Sequence, residues 1–172
     1  MRQRLFERLA ALGIVTTTVE HPAVFTVEES DELYARVPGA HTKNLFLKDA
    51  KGRLFLVVAD HATVVDLKSL PKVIGSARLS FGNAELLEAV LGVKPGSVTA
   101  FAAMNDEAQK VTIVIDQNLM NAAIVNLHPM ENVATTSIAR DDLLRFIRAT
   151  GHEPQIAGLT GPSTKSAEGA QG

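Results

Sequence analysis

The chain has 172 residues, of which 46% are hydrophobic, and its formal net charge at pH 7 is −2. This length and composition predict one globular domain with a full hydrophobic core. The sequence contains no cysteine, which excludes disulfide bonds, thiolate nucleophiles and cysteine-ligated zinc. Because the charge is slightly negative, a nucleic-acid partner would have to contact a local cluster of cations rather than the whole surface.

The lack of cysteine fits a reducing compartment, and we expect a cytoplasmic protein. Residues 1–13 are charged and helical in pattern, unlike a signal peptide. No segment approaches the roughly 20 consecutive apolar residues that span a bilayer. We therefore expect no membrane partner, and we expect no DNA partner.

Helical periodicity and capping residues predict the first elements of the chain. Apolar residues at helical spacing predict a helix that ends at Gly13, and residues 16–20 predict a short strand. Thr26 and Glu29 have the spacing of a capping box, which predicts a second helix ending at Val37.

Two apolar runs, residues 43–49 and 53–60, predict a β-hairpin closed by the turn at residues 50–52. Lys43 and Asn44 stand at the entrance of the first run, where turn residues are more usual. Both polar side chains must therefore point at a partner.

A short helix, a short strand and a longer helix are predicted next. Asp66 is predicted to cap the short helix, which ends near Gly75, and residues 77–81 form the strand. Asn83 is predicted to cap an amphipathic helix that Gly92 stops.

The last third of the chain predicts four strands and one helix. Residues 98–104 and 111–116 are predicted strands joined by a hairpin connection, and residues 122–129 and 134–138 are two more. Ser137 is predicted to cap the final helix.

These elements mix helices with strand hairpins and lack regular βαβ alternation, which argues against a doubly wound parallel sheet. The fold class predicted is α/β (α+β), a single compact domain with helices around a central mixed, largely antiparallel sheet. After Gly151 the composition shifts toward Gly, Pro, Ser, Gln and Glu. We predict a domain over residues 1–158 and a mobile tail over residues 159–172.

Common catalytic motifs are missing from the sequence. It has no glycine-rich nucleotide loop, no His-Glu-x-x-His zinc motif and no G-x-S-x-G nucleophile elbow. We therefore predict neither a cofactor nor a metal. What remains is polar residues at predicted strand ends, namely Lys43, Asn44 and His128. A lysine at a sheet edge also guards against aggregation, and a histidine at a strand end is often structural, so the residues alone leave these roles open.

A series of motifs, in chain order, resembles the prolyl-tRNA editing-associated proteins, which are freestanding relatives of the editing domain in bacterial prolyl-tRNA synthetases and belong to the wider YbaK superfamily. The resemblance runs from about Val19 to Pro154. The motifs are "HTKNLFLKDAKGRLFLVVAD", "VDLKSL", "RLSFGNAELLEAVLGVKPGSVTAF", "VTIVIDQNLM" and "NLHPMENVATTSIARDDLLRFIRATGHEP". The first two point to the alanine-specific branch.

This resemblance implies hydrolysis of Ala-tRNA(Pro), with the acceptor end of tRNA(Pro) as the ligand and prolyl-tRNA synthetase as a further partner. It implies catalytic roles for Lys43 and Asn44. A second, tighter pocket that admits alanine and excludes proline would follow double-sieve logic. We expect its walls to be His128 and the turn formed by Gly96, Ser97, Val98 and Thr99. One departure is Ala100, where the family commonly has proline, and this puts the rigidity of that wall in question.

Three expectations stay open at this point. The cations expected to contact tRNA are Lys48 and Arg53 of the hairpin and Arg145 and Arg148 of the last helix. A related alternative is deacylation of another misacylated tRNA, such as Cys-tRNA or Ser-tRNA. The alternative from a different class is a non-catalytic module that binds tRNA or a synthetase. The sequence does not give the oligomeric state.

Overall fold

The computed structural model describes residues 1–24 and 26–159, and their secondary structure is a sheet flanked by helices. The α-helices are α1 (Arg2–Ala11), α2 (Val27–Arg36), α3 (Leu70–Ile74), α4 (Ala84–Leu91) and α5 (Arg140–Ala149). The strands are β1 (Thr17–Glu20), β2 (Ala40–Asp49), β3 (Leu54–Asp60), β4 (Leu79–Phe81), β5 (Val111–Asp116), β6 (Ile124–Leu127), β7 (Ala134–Ala139) and β8 (Gln155–Ala157). Two 3-10 helices span Ala100–Asn105 and Gln117–Asn121.

The strands form one mixed sheet in the order β1-β7-β6-β2-β3-β5-β8, and β4 pairs with β2 outside this path. The β1–β7, β6–β7, β2–β3 and β2–β4 pairings are antiparallel. The β2–β6, β3–β5 and β5–β8 pairings are parallel. This confirms the predicted fold class, with a larger parallel share than the sequence indicates.

Each face of the sheet covers its own hydrophobic core. Because side chains alternate along a strand, Phe46 and Leu56 face the larger core, together with α1, α4 and α5. Leu45 and Val57 face the smaller core, which packs against α3. Within the described residues, no helix is long and apolar enough to span a membrane.

Local capping chemistry confirms several predicted boundaries. The Thr26 side chain accepts from Glu29 N while the Glu29 side chain accepts from Thr26 N, which is the complete capping box of α2. Asn83 caps α4 through a 2.8 Å bond from Leu86 N, and Gly92 ends that helix in the left-handed conformation. The hairpin formed by β2 and β3 is also present as predicted.

One predicted strand and two predicted capping residues are wrong. The apolar run at residues 98–104 is a buried 3-10 helix from Ala100 instead of a strand, so β5 has no hairpin partner there. Ser137 lies within β7 and donates to Asn126, while α5 begins at Arg140. Asp66 does not cap α3. Its carboxylate accepts a hydrogen bond from Lys68 N, and the helix begins only at Leu70.

The predicted tail begins at residue 159. Leu159, its first residue, is 2% exposed and packs in the smaller core. Residues 160–172 lie outside the described residues.

Candidate active site

The candidate site lies where the neighbours of β2 diverge. On one side, β2 pairs with β3 over Thr42–Lys48. On its other side it pairs with β6 only at Ala40 and His41, and with β4 only from Leu47. The β2 gap, residues 42–45, therefore has a strand partner on one side only within the described residues. An interruption of this kind leaves backbone groups and side chains accessible in an otherwise continuous sheet.

Lys43 lies inside the β2 gap, and this corrects its predicted place at a strand entrance. β2 starts at Ala40, because Gly39 allows the chain to pass close to β6. Gly39 has φ +110°, and a Cβ there would lie 2.8 Å from the Ile124 carbonyl oxygen. Only glycine suits both conditions, so the position of Lys43 depends on this close approach.

Lys43 is half-buried. Its burial and its charged neighbours change the pKa of its ammonium group in opposite directions. Burial lowers the pKa of the ammonium group, and the nearby carboxylates of Asp116 and Asp60 act to raise it. The site thus holds a cation that is partly desolvated but faces negative charge. Such a group interacts more strongly with an anion or a polarised carbonyl than a fully solvated lysine does.

Asn44 points to the opposite face of β2 and is 1% exposed. Its Oδ1 is buried and has no hydrogen-bond partner among the described residues. A buried amide oxygen without a partner costs about 1–3 kcal/mol. Unpaired buried polar groups are uncommon in native structures, which singles out Asn44 next to Lys43.

A cavity of about 380 Å³ lies beside the β2 gap, between α2 and the sheet. Of the predicted site residues, Gly96 and His128 line it, and the remaining predicted residues do not. Thr42 connects the cavity to the gap, because it lines the cavity and directly precedes Lys43. The full lining is His21, Val24, Ser30, Leu33, Tyr34, His41, Thr42, Pro95, Gly96, Asn126, Leu127, His128, Asn132 and Thr135.

His128 follows β6 and forms part of the cavity wall. Burial lowers the pKa of its imidazole, which favours the neutral ring at pH 7. Its Nδ1 donates to the Ala134 carbonyl oxygen at 3.3 Å, a long bond. In that tautomer Nε2 is an acceptor, so the ring gives the wall both bulk and one polar atom.

The Gly96–Thr99 turn runs from the cavity into the larger core. Gly96 lines the cavity in the left-handed conformation, with φ +92°. Val98 and Thr99 are fully buried, and the Thr99 hydroxyl caps the 3-10 helix by accepting from Phe101 N at 3.3 Å. Ser97 is anchored by a 3.0 Å bond from its backbone N to the Lys94 carbonyl. This capping holds the turn even though Ala100 replaces the family proline.

Sequence reasoning missed the part of the cavity that α2 contributes. His41 donates from Nε2 to the Val37 carbonyl at 2.8 Å, and its ring lies 4.3 Å from that of Tyr34. His21 bonds Thr135 through Nε2 at 2.9 Å on the far wall. Three histidines that are scattered in sequence therefore meet around one cavity. No local signal could have placed His21 and His41 beside the predicted His128, because the pairings of β1, β7, β6 and β2 bring the three together.

The residues expected to contact tRNA do not form one patch with Lys43. Lys48 lies on the opposite face of β2, since the two positions differ by an odd number. Arg53 bonds the buried Asp49 at 2.9 Å. Arg145 pairs with Asp142 and Arg148 with Glu153, at 3.3 and 3.1 Å. Their contact with tRNA stays a prediction, and phosphates would have to compete with these carboxylates.

Metal ligation finds no support in the residues that are described. Across residues 1–24 and 26–159, no three His, Asp or Glu side chains group closely enough to hold a metal ion.

Several known proteins have sequences similar to this chain. A family model described as the aminoacyl-tRNA editing domain matches residues 21–146. The prolyl-tRNA editing protein ProX of Acetoanaerobium sticklandii is 39% identical over 152 residues, covering 88% of this chain and 93% of ProX. The prolyl-tRNA synthetase associated domain-containing protein 1 of Danio rerio is 42% identical over 158 residues, covering 91% of this chain and 86% of the relative.

Solved structures share the fold. A candidate trans-editing enzyme for prolyl-tRNA synthetase superposes with a TM-score of 0.67 at 19% identity, covering 91% of this chain and 96% of that one. A scaffold protein designed to present linear epitopes gives a TM-score of 0.72 at 20% identity, covering 94% and 97%. At these identities the structures show the fold alone. The family match and the two relatives confirm the resemblance read from the motifs, and the chain belongs to the aminoacyl-tRNA editing domain family.

Proposed function

We propose that this protein hydrolyses the ester bond of mischarged Ala-tRNA(Pro) in trans, releasing alanine and uncharged tRNA. The observation that carries the proposal is the half-buried Lys43 cation in the β2 gap, beside a cavity walled by His128 and Gly96. Family membership and the similarity to ProX support an editing role. Prolyl-tRNA synthetase is the proposed source of the substrate.

The proposed reaction needs no protein nucleophile, because an aminoacyl ester is already reactive. Water adds to the ester carbonyl carbon, and the carbonyl oxygen becomes an oxyanion. The bond from that carbon to the ribose oxygen then breaks, and the ribose oxygen takes up a proton. Lys43 would stabilise the oxyanion or the terminal phosphate, and Asn44 would orient the substrate.

Lys43 fits the role of a cation better than the role of a general base. A base must be neutral, and a free lysine has a pKa near ~10.4. Burial lowers the pKa of Lys43 overall, and the charges of Asp116 and Asp60 offset part of that effect. The surrounding charges therefore favour the ammonium form, which is the form that stabilises negative charge.

Selection for alanine would depend on the local wall rather than on total volume. The cavity, at about 380 Å³, far exceeds an alanine side chain, so it does not exclude proline by its size alone. His128 and the Gly96–Thr99 turn would restrict the space nearest the ester. A second, steric selection would be needed because binding at a synthetase site separates amino acids that differ by a methylene by only about 1–3 kcal/mol.

A panel of charged tRNAs tests the proposal. The purified protein is incubated with Ala-tRNA(Pro), Pro-tRNA(Pro), Cys-tRNA and Ser-tRNA, and loss of the ester is followed under single-turnover conditions. We expect rapid hydrolysis of Ala-tRNA(Pro) and sparing of Pro-tRNA(Pro). Faster hydrolysis of Cys-tRNA or Ser-tRNA would reassign the substrate. Tight tRNA binding without hydrolysis of any ester would identify a binding module instead.

A further inference from the structure

Asp116, at the end of β5, is a fully buried carboxylate to which the proposed reaction assigns no role. Its Oδ2 accepts from Asp60 N at 3.0 Å and from the Thr63 hydroxyl at 2.5 Å. Its Oδ1 accepts from Asn118 N at 3.0 Å. These donors are neutral, so they hold the carboxylate in place without neutralising it. A buried charge normally has a charged partner.

The sheet register aligns Lys43 with Asp116, and the negative charge of Asp116 acts on Lys43. Lys43 is paired with Ala59 across β2 and β3. Val58 is paired with Ile115 across β3 and β5, which puts Ala59 beside Asp116 at the next position. Lys43, Ala59 and Asp116 therefore form a row on one face of three adjacent strands. Strands lie about 4.8 Å apart, and the small Ala59 leaves space above the sheet for the lysine side chain to extend toward Asp116.

Other titratable groups lie close to this row. Asp60, at the end of β3, also acts on Lys43 by its negative charge. His41 lies two residues before Lys43 on the same face of β2, and His61 follows Asp60. Burial lowers the pKa of His41, so this ring does not shape behaviour in the alkaline range. Asp116 differs from Asp60 in being fully buried and fixed by three hydrogen bonds.

We propose that Asp116 is a positioning residue for Lys43, which it holds as an oriented cation at the β2 gap from two strands away. Thr63 contributes by fixing the carboxylate. This inference rests on the proposed deacylase function, because it assigns the charge state in which Lys43 works. It also requires that Asp116 does not contact the substrate itself.

The first test is the pH profile of Asp116→Asn. Removing the carboxylate charge makes the Lys43 ammonium easier to deprotonate, so the alkaline limb of single-turnover Ala-tRNA(Pro) hydrolysis should move to lower pH. Above that limb we expect about a tenfold loss for each pH unit of displacement. Rates are corrected for spontaneous ester hydrolysis. An equal loss at every pH would indicate a merely structural residue, and a gain in rate would indicate that Lys43 works as a base. Either result would overturn the proposal.

The second test does not depend on activity. The Lys43 side chain is titrated by NMR through its Cε and Nζ signals, assigned with Lys43→Arg. We expect the Lys43 midpoint to fall in Asp116→Asn and to stay unchanged in Asp141→Asn, which removes an exposed carboxylate whose side chain is 81% accessible. An unchanged midpoint in Asp116→Asn overturns the proposal. If the midpoint falls but the unmodified protein hydrolyses no charged tRNA, the proposed function fails while the pairing stands.

Folding is controlled by a second variant. Asp116→Ser removes the charge, and its hydroxyl can still accept from Asn118 N as a cap. A thermal melt is run for both variants, and the same fall in the Lys43 midpoint is expected in each. If neither variant shows a melting transition, Asp116 is required for the fold itself, and its assignment as a positioning residue is overturned.

Discussion

Thr42 donates from its hydroxyl to the Asn126 carbonyl oxygen at 2.9 Å, directly after the last register pair between β2 and β6. This bond marks the point where the two strands separate and the cavity opens. Asn126 is itself fixed, since its side chain donates to the Pro38 and Ala40 carbonyls at 3.0 and 3.2 Å. The edge of the β2 gap is therefore held by side-chain bonds rather than by the strand ladder, and Lys43 follows immediately.

Removing the His128 side chain should relax selectivity. His128→Ala removes part of the wall nearest the proposed ester site and so enlarges the cavity there. We therefore expect Pro-tRNA(Pro) to become a substrate while Ala-tRNA(Pro) is still hydrolysed. The measurement is the ratio of the two single-turnover rates in the variant and in the unmodified protein. His21→Ala, on the far wall of the same cavity, is the matched control and should change the ratio less. An unchanged ratio in His128→Ala would remove His128 from the sieve.

His41 should make the fold sensitive to acid. Burial lowers its pKa in the folded protein, below the value of about 6.5 expected in the unfolded chain. The unfolded state therefore binds the proton more readily, and the stability contributed by neutral His41 is present above about pH 6.5 and is lost as pH falls through the folded pKa. His41→Gln should flatten the decline of melting temperature between about pH 6.5 and 5.

The acid response of His41→Gln needs a neighbouring control. Burial also lowers the pKa of His128. In His41→Gln the decline of melting temperature with falling pH should therefore weaken without disappearing. The exposed His61 also contacts Tyr34, with ring centroids 4.5 Å apart, and His61→Gln should keep the full decline. Equal profiles for the two variants would show that the buried His41 ring is not the source of the effect.

The paired arginines of α5 give a prediction about tRNA contact. We expect Arg145→Ala/Arg148→Ala to weaken binding and to reduce the salt dependence of binding, with the slope of log K against log[salt] falling by about 2 if both contact phosphates. Both are already paired with carboxylates, so tRNA must displace those partners. Lys68→Ala/Lys72→Ala is a control with the same charge change. If the arginine variant kept the parental slope, the tRNA footprint would lie elsewhere.

The buried Ala100 position should accept the family proline. Ala100 is the first residue of its 3-10 helix, and Thr99 before it is extended, with φ −154° and ψ 149°, as a residue before proline prefers. Ala100→Pro should therefore stabilise the fold by about 0.4–1 kcal/mol through the unfolded state. For a chain of this size that is a rise in melting temperature of about 1–4 °C. A fall of several degrees would mean that the packed surroundings cannot take the ring.

Local chemistry made part of the fold predictable. The Thr26–Glu29 capping box and the Asn83 cap depend on residues within one turn of each other, so the sequence alone predicts them. The run at residues 98–104 misled the prediction because it is buried on all sides. A fully buried apolar run has no periodicity that separates a strand from a helical turn.

The site was only partly predictable for a related reason. Lys43 and His128 stand out because they are polar residues at the ends of predicted apolar strands. The contribution of Tyr34 and His41 to the cavity depends on how α2 packs, and the Lys43–Asp116 row depends on the register of three strands. Such long-range relationships follow from the sheet topology and leave no local pattern in the sequence.

Replacing Lys43 tests the central role proposed for this site. Lys43→Ala removes the cation proposed to face the buried Asp116 carboxylate, so we expect a lower melting temperature in a variant that still folds. Losing one electrostatic contact at a reacting centre typically costs on the order of 10²–10³ in rate, and Lys43→Arg should restore only part of it because the guanidinium is larger and planar. A thermal melt in parallel confirms that each variant is folded.

The most direct measurement is single-turnover hydrolysis of Ala-tRNA(Pro) by folded Lys43→Ala, beside the unmodified protein. A cation in the β2 gap that stabilises the reacting ester predicts a rate lower by about 10²–10³, in a variant that still shows a cooperative melting transition. A folded Lys43→Ala variant that hydrolyses Ala-tRNA(Pro) at the unmodified rate would contradict this role for Lys43.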